Sequence, residues 1–308
     1  MLPKVTVLIL SYNGKQLLYE AINSYLSNGY PNYGIVVIDN GSTDGTREYV
    51  ESNWKEVEVL RSKINLGYSG GLNLGLDYAF NKLKAEFAIV SNNDLSVGKG
   101  LIHELSKVAI QYKDAGFVVG KVYYYNQPDV IQTIGYQHDP FLWVKPHPAN
   151  KRRDDGAYDR VEERYYSDDI VMLVRQEVYY KVGGYDHTMR FQSEQFDWQI
   201  RAKKAGFKIY YTPYARVWHK ESYTIGKSSP FQTYFDVRNS LVVRIKHREK
   251  DYVVPYHKWY LKKVVLRAFL KKTLKFQYKY SWAILTGYFS ALIWAGKTGN
   301  LHKILKYK

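Results

Sequence analysis

The chain has 308 residues, 45% of them apolar, with a net charge of +16 and no cysteine. Such a length can bury one large core without disulfide support. The lack of thiols excludes disulfides, thiolate zinc sites and a cysteine nucleophile, and is compatible with a reducing cytoplasm. The charge is unevenly spread: Leu241 to Lys308 carries 16 Lys or Arg against Glu249 and Asp251, so the first 240 residues are nearly neutral. No zinc finger, RNP motif or clear helix-turn-helix accompanies that basic tail. No nucleic acid is therefore expected, and anionic lipid or a lipid diphosphate is the expected partner.

The amino terminus leads into only about six apolar residues, too few for a signal-peptide core, and reads as a first strand, Val5 to Leu10. Up to about Ser96 strand, loop and helix alternate, with strands at Ile35 to Ile38, Val57 to Leu60 and Phe87 to Val90 and helices at Gln16 to Leu26, Thr43 to Ser52 and Gly71 to Leu83. This alternation predicts a mainly parallel sheet with helices on both faces. Leu101 to Tyr112 predicts a further helix and Gly116 to Tyr125 a further strand. From Asn126 to Ser167 the pattern fails: Pro128, Pro140, Pro146 and Pro148, then the charged run Lys151 to Asp155, predict a long irregular segment that is either a lid or disordered. Order resumes with a strand at Ile170 to Val174, a helix through Val182 and a turn at Gly183 to Asp186. A helix from Glu194 to Ala205, strands at Lys208 to Thr212 and Ala215 to His219, and a helix from Pro230 to Lys246 follow.

Four loops each follow an apolar run: Ser11 to Gly14, Asp39 to Gly45, Asn65 to Gly75 and Asn92 to Asp94. All can sit at the carboxyl ends of strands, the edge at which open α/β sheets bind ligands. Asp39 and Asp44 suit hydrogen bonds from a pyrimidine base and a ribose, and equally suit an Asx turn and a helix cap. Gly67, Gly70, Gly71 and Gly75 around a helix start allow close backbone approach and favour phosphate, or simply ease packing. They form neither the dinucleotide fingerprint nor a P-loop, so no NAD and no ATPase are expected. A departing diphosphate needs its charge offset, commonly by Mg2+ or Mn2+ on hard oxygen ligands. Asp94 suits that role, with Asn92 as a neutral oxygen donor.

In this order and spacing the loops, together with Gly183 to Asp186, Glu194 to Gly206 and Val217-Trp218-His219, resemble family 2 inverting glycosyltransferases of GT-A fold. The likeness is to the bacterial rhamnosyl- and galactofuranosyl-transferase kind and covers about Val5 to Asn239. It implies an α/β GT-A Rossmann-like fold with a mainly parallel sheet, in a domain over residues 1–240. The donor half would be about 1–125 and the acceptor half about 126–240, with a basic helical extension over 241–308. The resemblance implies a UDP- or dTDP-sugar donor and a glycan or lipid-linked glycan acceptor in cell-surface polysaccharide synthesis. It puts Tyr12, Asp39 and Asp44 on the nucleoside, with Asn13, Asn65, Gly67, Gly71, Asn73, Asn92 and Asn93 in the donor pocket. Asp94 and His219 are the expected holders of Mg2+ or Mn2+, and Arg238, of an Arg-Asn pair, the expected phosphate ligand. Glu194-Gln195-Phe196-Asp197 stands where relatives carry an acidic pair followed by a further acid. Gln195 replaces the acid that is the presumed base, so the base is expected at Glu194, with Asp197 as the alternative. Gln195 also leaves open a catalytically silent nucleotide-sugar or glycan-binding relative. A sugar nucleotidyltransferase would need a basic Gly-rich loop after the first strand, which Ser11 to Lys15 is not.

On a helix, Trp259, Leu266, Leu270 and Leu274 share one arc flanked by lysines, as in a helix lying in a membrane interface. The uncharged stretch Tyr280 to Gly296 is near the lower limit for a span. Attachment to the inner face of the cell membrane is the expectation, with a packed tail and a spanning helix as alternatives.

Overall fold

The computed structural model describes residues 2–220 and 229–304. The first half runs β1 (Val5–Ser11), α1 (Lys15–Leu26), β2 (Tyr33–Asp39), α2 (Thr46–Asn53), β3 (Val57–Arg61), α3 (Gly67–Asp77), β4 (Phe87–Ser91), β5 (Leu95–Val97), α4 (Leu101–Gln111) and β6 (Ala115–Tyr124). Then come β7 (Gln127–Thr133), β8 (Tyr136–Asp139), β9 (Trp143–Pro146), β10 (Glu162–Arg164), β11 (Val171–Arg175), α5 (Gln176–Val182), α6 (Glu194–Lys204) and β12 (Lys208–His219). The remainder is helical: α7 (Pro230–His247), α8 (Lys250–Tyr260), α9 (Arg267–Leu274) and α10 (Tyr278–Lys297).

The main sheet has the order β10-β12-β6-β11-β4-β1-β2-β3, with β5 added on β12 and β7 on β6. The run β4-β1-β2-β3 is parallel, and the chain reverses its direction of winding between β1 and β4. That is a topological switch point, where the carboxyl ends of two strands splay apart and leave a crevice. β1 is covered on both faces, which is why it reads as a continuous apolar run. Val5, Val7 and Ile9 point to a layer with Leu18 and Ile22 of α1 and Leu101 and Leu105 of α4. Leu8 points to the opposite layer with Leu72 and Leu76 of α3 and Trp198 of α6. Gly75 lets α3 lie directly on β2, since a Cβ there would stand 2.3 Å from Ile38 Cδ1.

Three expectations are corrected. The segment 126–167 is not irregular: it holds β7, the β8-β9 hairpin and β10. One acid of its charged run, Asp154, folds back on the buried Lys121, whose Nζ pairs with it at 2.7 Å and with Asp159, while Tyr123 donates to Asp154 at 2.6 Å. The other charges of the run, Lys151, Arg152, Arg153 and Asp155, stay exposed. The two strands expected over Lys208 to His219 are one, kinked by a register shift between Tyr211 and Arg216 in its parallel pairing with β6. The boundary after residue 240 falls inside α7. A third apolar cluster crosses it, joining Trp143, Phe196 and Ile200 to Leu241, Val253, Ile284 and Ala291.

Candidate active site

The crevice floor is the loop after β1. Asn13 adopts a left-handed φ of 48°, donates its N–H to Ser42 Oγ at 3.0 Å and accepts the Thr43 N–H on Oδ1 at 2.8 Å, tying the first loop to the second. Asp39 is buried. Its Oδ1 accepts the Ser42 N–H at 2.8 Å, whereas Oδ2 has the Arg61 Nε at 3.4 Å and no hydrogen bond. Asp39 therefore keeps an acceptor in hand at the strand end. Asp44 does not: it accepts the N–H groups of Lys15 and Thr46, each at 3.1 Å, and the Thr46 hydroxyl at 2.5 Å. Burial acts to raise its pKa, and these bonds outweigh it and hold the carboxyl below its usual value. Of its two expected roles, the helix-capping one accounts for both oxygens. Tyr12 stands exposed on the rim.

Asn65 Oδ1 accepts the Gly67 N–H at 2.8 Å and starts α3 four residues before the expected Gly71. Asn40 clamps this loop, accepting from Leu66 N–H and donating to Gly67 carbonyl, each at 3.0 Å. Gly71 lies beneath the pocket and not on its surface, where a Cβ would meet Leu10 Cδ1 at 2.6 Å. Asn73, expected at the donor, exchanges two 2.8 Å hydrogen bonds with the Tyr185 backbone, so its amide is engaged in holding the turn before α6.

Asn93 reaches across the switch point to Ser11 Oγ at 3.3 Å. Beyond it β5 turns back and pairs with the end of β12, Leu95 opposite His219. This brings His219 Nε2 to 3.2 Å from Asp94 Oδ1 and 3.5 Å from Asn92 Nδ2. Nδ1 of His219 lies 3.0 Å from Gln132 Oε1. The imidazole therefore bridges Gln132 on one side and Asp94 on the other. The pair that the resemblance implies is thus assembled from strands 125 residues apart. Among the described residues no cluster of three or more His, Asp or Glu forms a metal cage, so a metal here would take its remaining ligands from phosphate, amide oxygen and water.

A group of acids shares this region, Tyr68 lying near Asp94, Asp169 and Glu194 and His219 near Asp168. Glu194 begins α6 and is buried, with Oε2 lacking any hydrogen bond; Gln195 Oε1 is likewise buried without one. Burial first, and the neighbouring Asp169 charge second, hold the Glu194 carboxyl well above the usual carboxylate range. Asp169 is itself buried and pushed up to about 6, against the Tyr185 and Tyr68 hydroxyls, the former donating at 2.7 Å. Asp168, beside His219, is also raised by burial. Asp236 on α7 opens to solvent but is otherwise surrounded by protein, and that desolvation lifts it to about 6. Sequence reading missed Asp168 and Asp169. The signal was present as two acids directly before an apolar strand. It becomes meaningful once β11 is known to run antiparallel to β4, because its first residues then share the ligand-binding edge, with Asn92 N–H on Ile170 carbonyl at 3.0 Å.

Two further candidate residues are engaged inside the protein. Asp197 is fully buried and salt-bridged: Arg201 Nε stands at 2.8 Å from Oδ2, and Lys246 Nζ and His247 Nε2 each at 2.7 Å from Oδ1. Burial would raise this carboxyl, but His247, Arg201 and Lys246 hold it far below the usual range. These bonds lock α6 to α7. Arg238 is also buried, donating to Thr188 carbonyl at 3.0 Å, to Ser290 Oγ at 3.3 Å and to Asn239 Oδ1. Its Nε and Nη1 are thus engaged inside the protein. Asn239 in turn reaches the carbonyls of Met189, Phe191 and Gln192 at 2.7 to 2.8 Å. It braces a loop in which Arg190, Gln192 and Ser193 all have positive φ, strained geometry that sets the direction of Glu194. A polar cleft of about 430 Å³ lined by Asn73, Asp186, His187, Arg201 and Lys246 lies off this site. Arg201 and Lys246 there are already bonded to Gly184 carbonyl, Asp186 and Asp197.

A half-Rossmann sheet with an acid-histidine pair at its switch point and an antiparallel strand beside it defines the GT-A class of fold. The chain belongs to glycosyl transferase family 2, whose model matches residues 6–183. Over 77 residues it is 38% identical to an uncharacterized glycosyltransferase of Haemophilus influenzae, 24% of each chain. Over 212 residues it is 27% identical to the N-acetylglucosaminyl-diphospho-decaprenol L-rhamnosyltransferase of Mycobacterium tuberculosis, 63% of this chain and 68% of that one. The crystal structure of GalNAc-T7 with UDP, GalNAc and Mn2+ has the same fold, with a TM-score of 0.62 and 19% identity over 79% of this chain and 48% of that one. The chain thus spans about a quarter of the first of these relatives and about half of the GalNAc-T7 chain.

Proposed function

We propose that the chain transfers a sugar, with inversion, from a UDP- or dTDP-sugar to a hydroxyl of a glycan or lipid-linked glycan acceptor in cell-surface polysaccharide synthesis. The observation that carries this reading is the Asp94-His219 contact at the strand ends, in the same neighbourhood as the buried and unbonded Glu194 Oε2, since Tyr68 lies near both Asp94 and Glu194. Asp39, through its unbonded Oδ2, binds the nucleoside, and the Asn65 to Gly67 loop and Asn93 shape the space for the diphosphate and sugar. Asp94 and His219 are the residues that would hold Mg2+ or Mn2+, the latter being the ion bound in the GalNAc-T7 structure. Such a cation supplies charge neutralisation at the leaving diphosphate. Glu194 takes the proton from the acceptor hydroxyl on Oε2, and the nearby Asp169 charge makes it a stronger base than an isolated carboxylate. Gln195 can accept a hydrogen bond from the same hydroxyl but cannot keep the proton. One displacement at the anomeric carbon needs no covalent intermediate. The same reading puts the chain at the inner face of the cell membrane, where a lipid-linked acceptor is displayed.

The test is release of nucleoside diphosphate from a panel of nucleotide sugars, with Mn2+ and with chelator, followed by the anomeric configuration of the product. Turnover of a UDP- or dTDP-sugar with inversion is expected. Donor binding with no turnover on any acceptor would favour the silent relative that Gln195 suggests.

A further inference from the structure

From Tyr252 to Lys308 the chain contains no Asp or Glu and 12 Lys or Arg. α9 and α10 form a hairpin whose tip, at Phe276 with φ of 57°, is apolar and bare: Leu274 is 79% exposed, Phe276 78% and Trp282 69%. Phe289 and Ile293 are also exposed and share one face of α10 with Trp282 at the helical period. Exposed Lys275 and Lys279 flank the tip in sequence, and exposed Lys262, Lys263, Arg267 and Lys271 line the arm that leads to it. Of the stripe expected from the sequence, Leu266, Leu270 and Leu274 are exposed. Trp259 instead packs on Phe141 and Tyr256, with a π-helical stretch at Leu261–Leu266 between α8 and α9. No helix among the described residues is long and apolar enough to cross a membrane.

We infer that this hairpin seats the protein on an anionic bilayer, with Leu274, Phe276 and Trp282 in the interface and the lysines on lipid phosphates. The partner rests on the membrane location proposed above, whereas the surface stands on its own residues. A second copy is disfavoured by charge, since pairing two such faces would oppose cations with cations and offer no carboxylate. Nucleic acid would meet the lysines but leave the apolar tip in water. The hairpin is also fixed relative to the active site. Gly287 packs so closely on α7 that a Cβ would stand 2.6 Å from Tyr234 carbonyl, and Tyr234 donates to Ser290 Oγ at 2.8 Å, one turn before Arg238 and Asn239.

The chain has no cysteine, so Phe276→Cys and Trp282→Cys can each carry a polarity-sensitive dye in the full chain, with Tyr19→Cys on α1 as a control. Phosphatidylglycerol vesicles at about 0.1 M salt should blue-shift the dye at 276 and 282 and not at 19, and about 0.5 M salt should reverse the shift. Phosphatidylcholine vesicles should give none. Leu274→Ser with Phe276→Ser should lower the partition coefficient at least about tenfold while leaving turnover on a soluble acceptor unchanged. Absence of a shift on anionic vesicles overturns the inference. So does a vesicle-free shift that grows with protein concentration, the mark of self-association, or an equal shift with duplex DNA. A shift in a protein that turns over no donor would refute the proposed function and leave the docking surface standing.

Discussion

Asp94 and His219 are two atoms' reach apart, and each is the other's reason for being there. Asp94→Ala is expected to lower transfer at least about a hundredfold, with the far-UV spectrum and melting temperature near those of the native protein, and steady-state kinetics with and without Mn2+ check it. Glu194→Gln should cost about a hundredfold in kcat with donor Kd nearly constant by titration calorimetry. Asp197→Asn should behave differently. Removing one charge from a buried cluster leaves Arg201, Lys246 and His247 facing a neutral amide, so a loss of about 3 kcal/mol in stability is expected, read as a lower denaturation midpoint. Asp169 makes a two-sided prediction. A carboxyl whose folded pKa is about 6 binds its proton more tightly folded than unfolded. It therefore weakens the fold increasingly as pH rises from about 4 to 6 and fully above that. Asp169→Asn should stabilise the protein by up to roughly 3 kcal/mol at pH 7, and the gain should vanish near pH 4. The same change removes the negative charge that raises Glu194, so the acid limb of kcat against pH should move to lower pH as turnover falls.

At the scale of elements, α3 on β2 is the tightest seam near the site. Gly75→Ala is expected to cost about 1 to 3 kcal/mol, and Ile38→Val, which removes the Cδ1 in the way, should recover most of it in a denaturation cycle. The parallel run from β1 to β4 and the helices between were legible in the sequence because β1, β2 and β4 each hold a continuous apolar run, β3 a weaker one, and each helix has its own period. So were Asp39, Asn65 and Asp94, which lie at the ends of those strands. What was not legible depends on partners far along the chain. Asp154 reads as part of a solvated run until Lys121 is known to be buried beneath it. Arg238 reads as a phosphate ligand until the Thr188 carbonyl and Ser290 take its Nη1 and Nε. Asp168 and Asp169 cannot be placed from the sequence, because only the antiparallel pairing of β11 with β4 brings the start of that strand to the ligand-binding edge.

For the molecule as a whole, the basic tail is both charged surface and structural core. Its inner faces complete the cluster that covers Trp143, Phe196 and Ile200, and the Tyr260 hydroxyl donates to Val237 carbonyl at 3.0 Å. A chain ended after residue 247 is therefore expected to lose its cooperative thermal transition and to aggregate, by calorimetry and size exclusion, where a separable extension would leave both unaltered.

β12 enters the sheet between β10 and β6 and ends in His219. On the ribosome, a nascent chain shorter than about 208 residues holds β5, β6 and β10 but not the strand that all three pair with. Three separate stretches of the chain therefore wait for one late strand before the sheet can be completed.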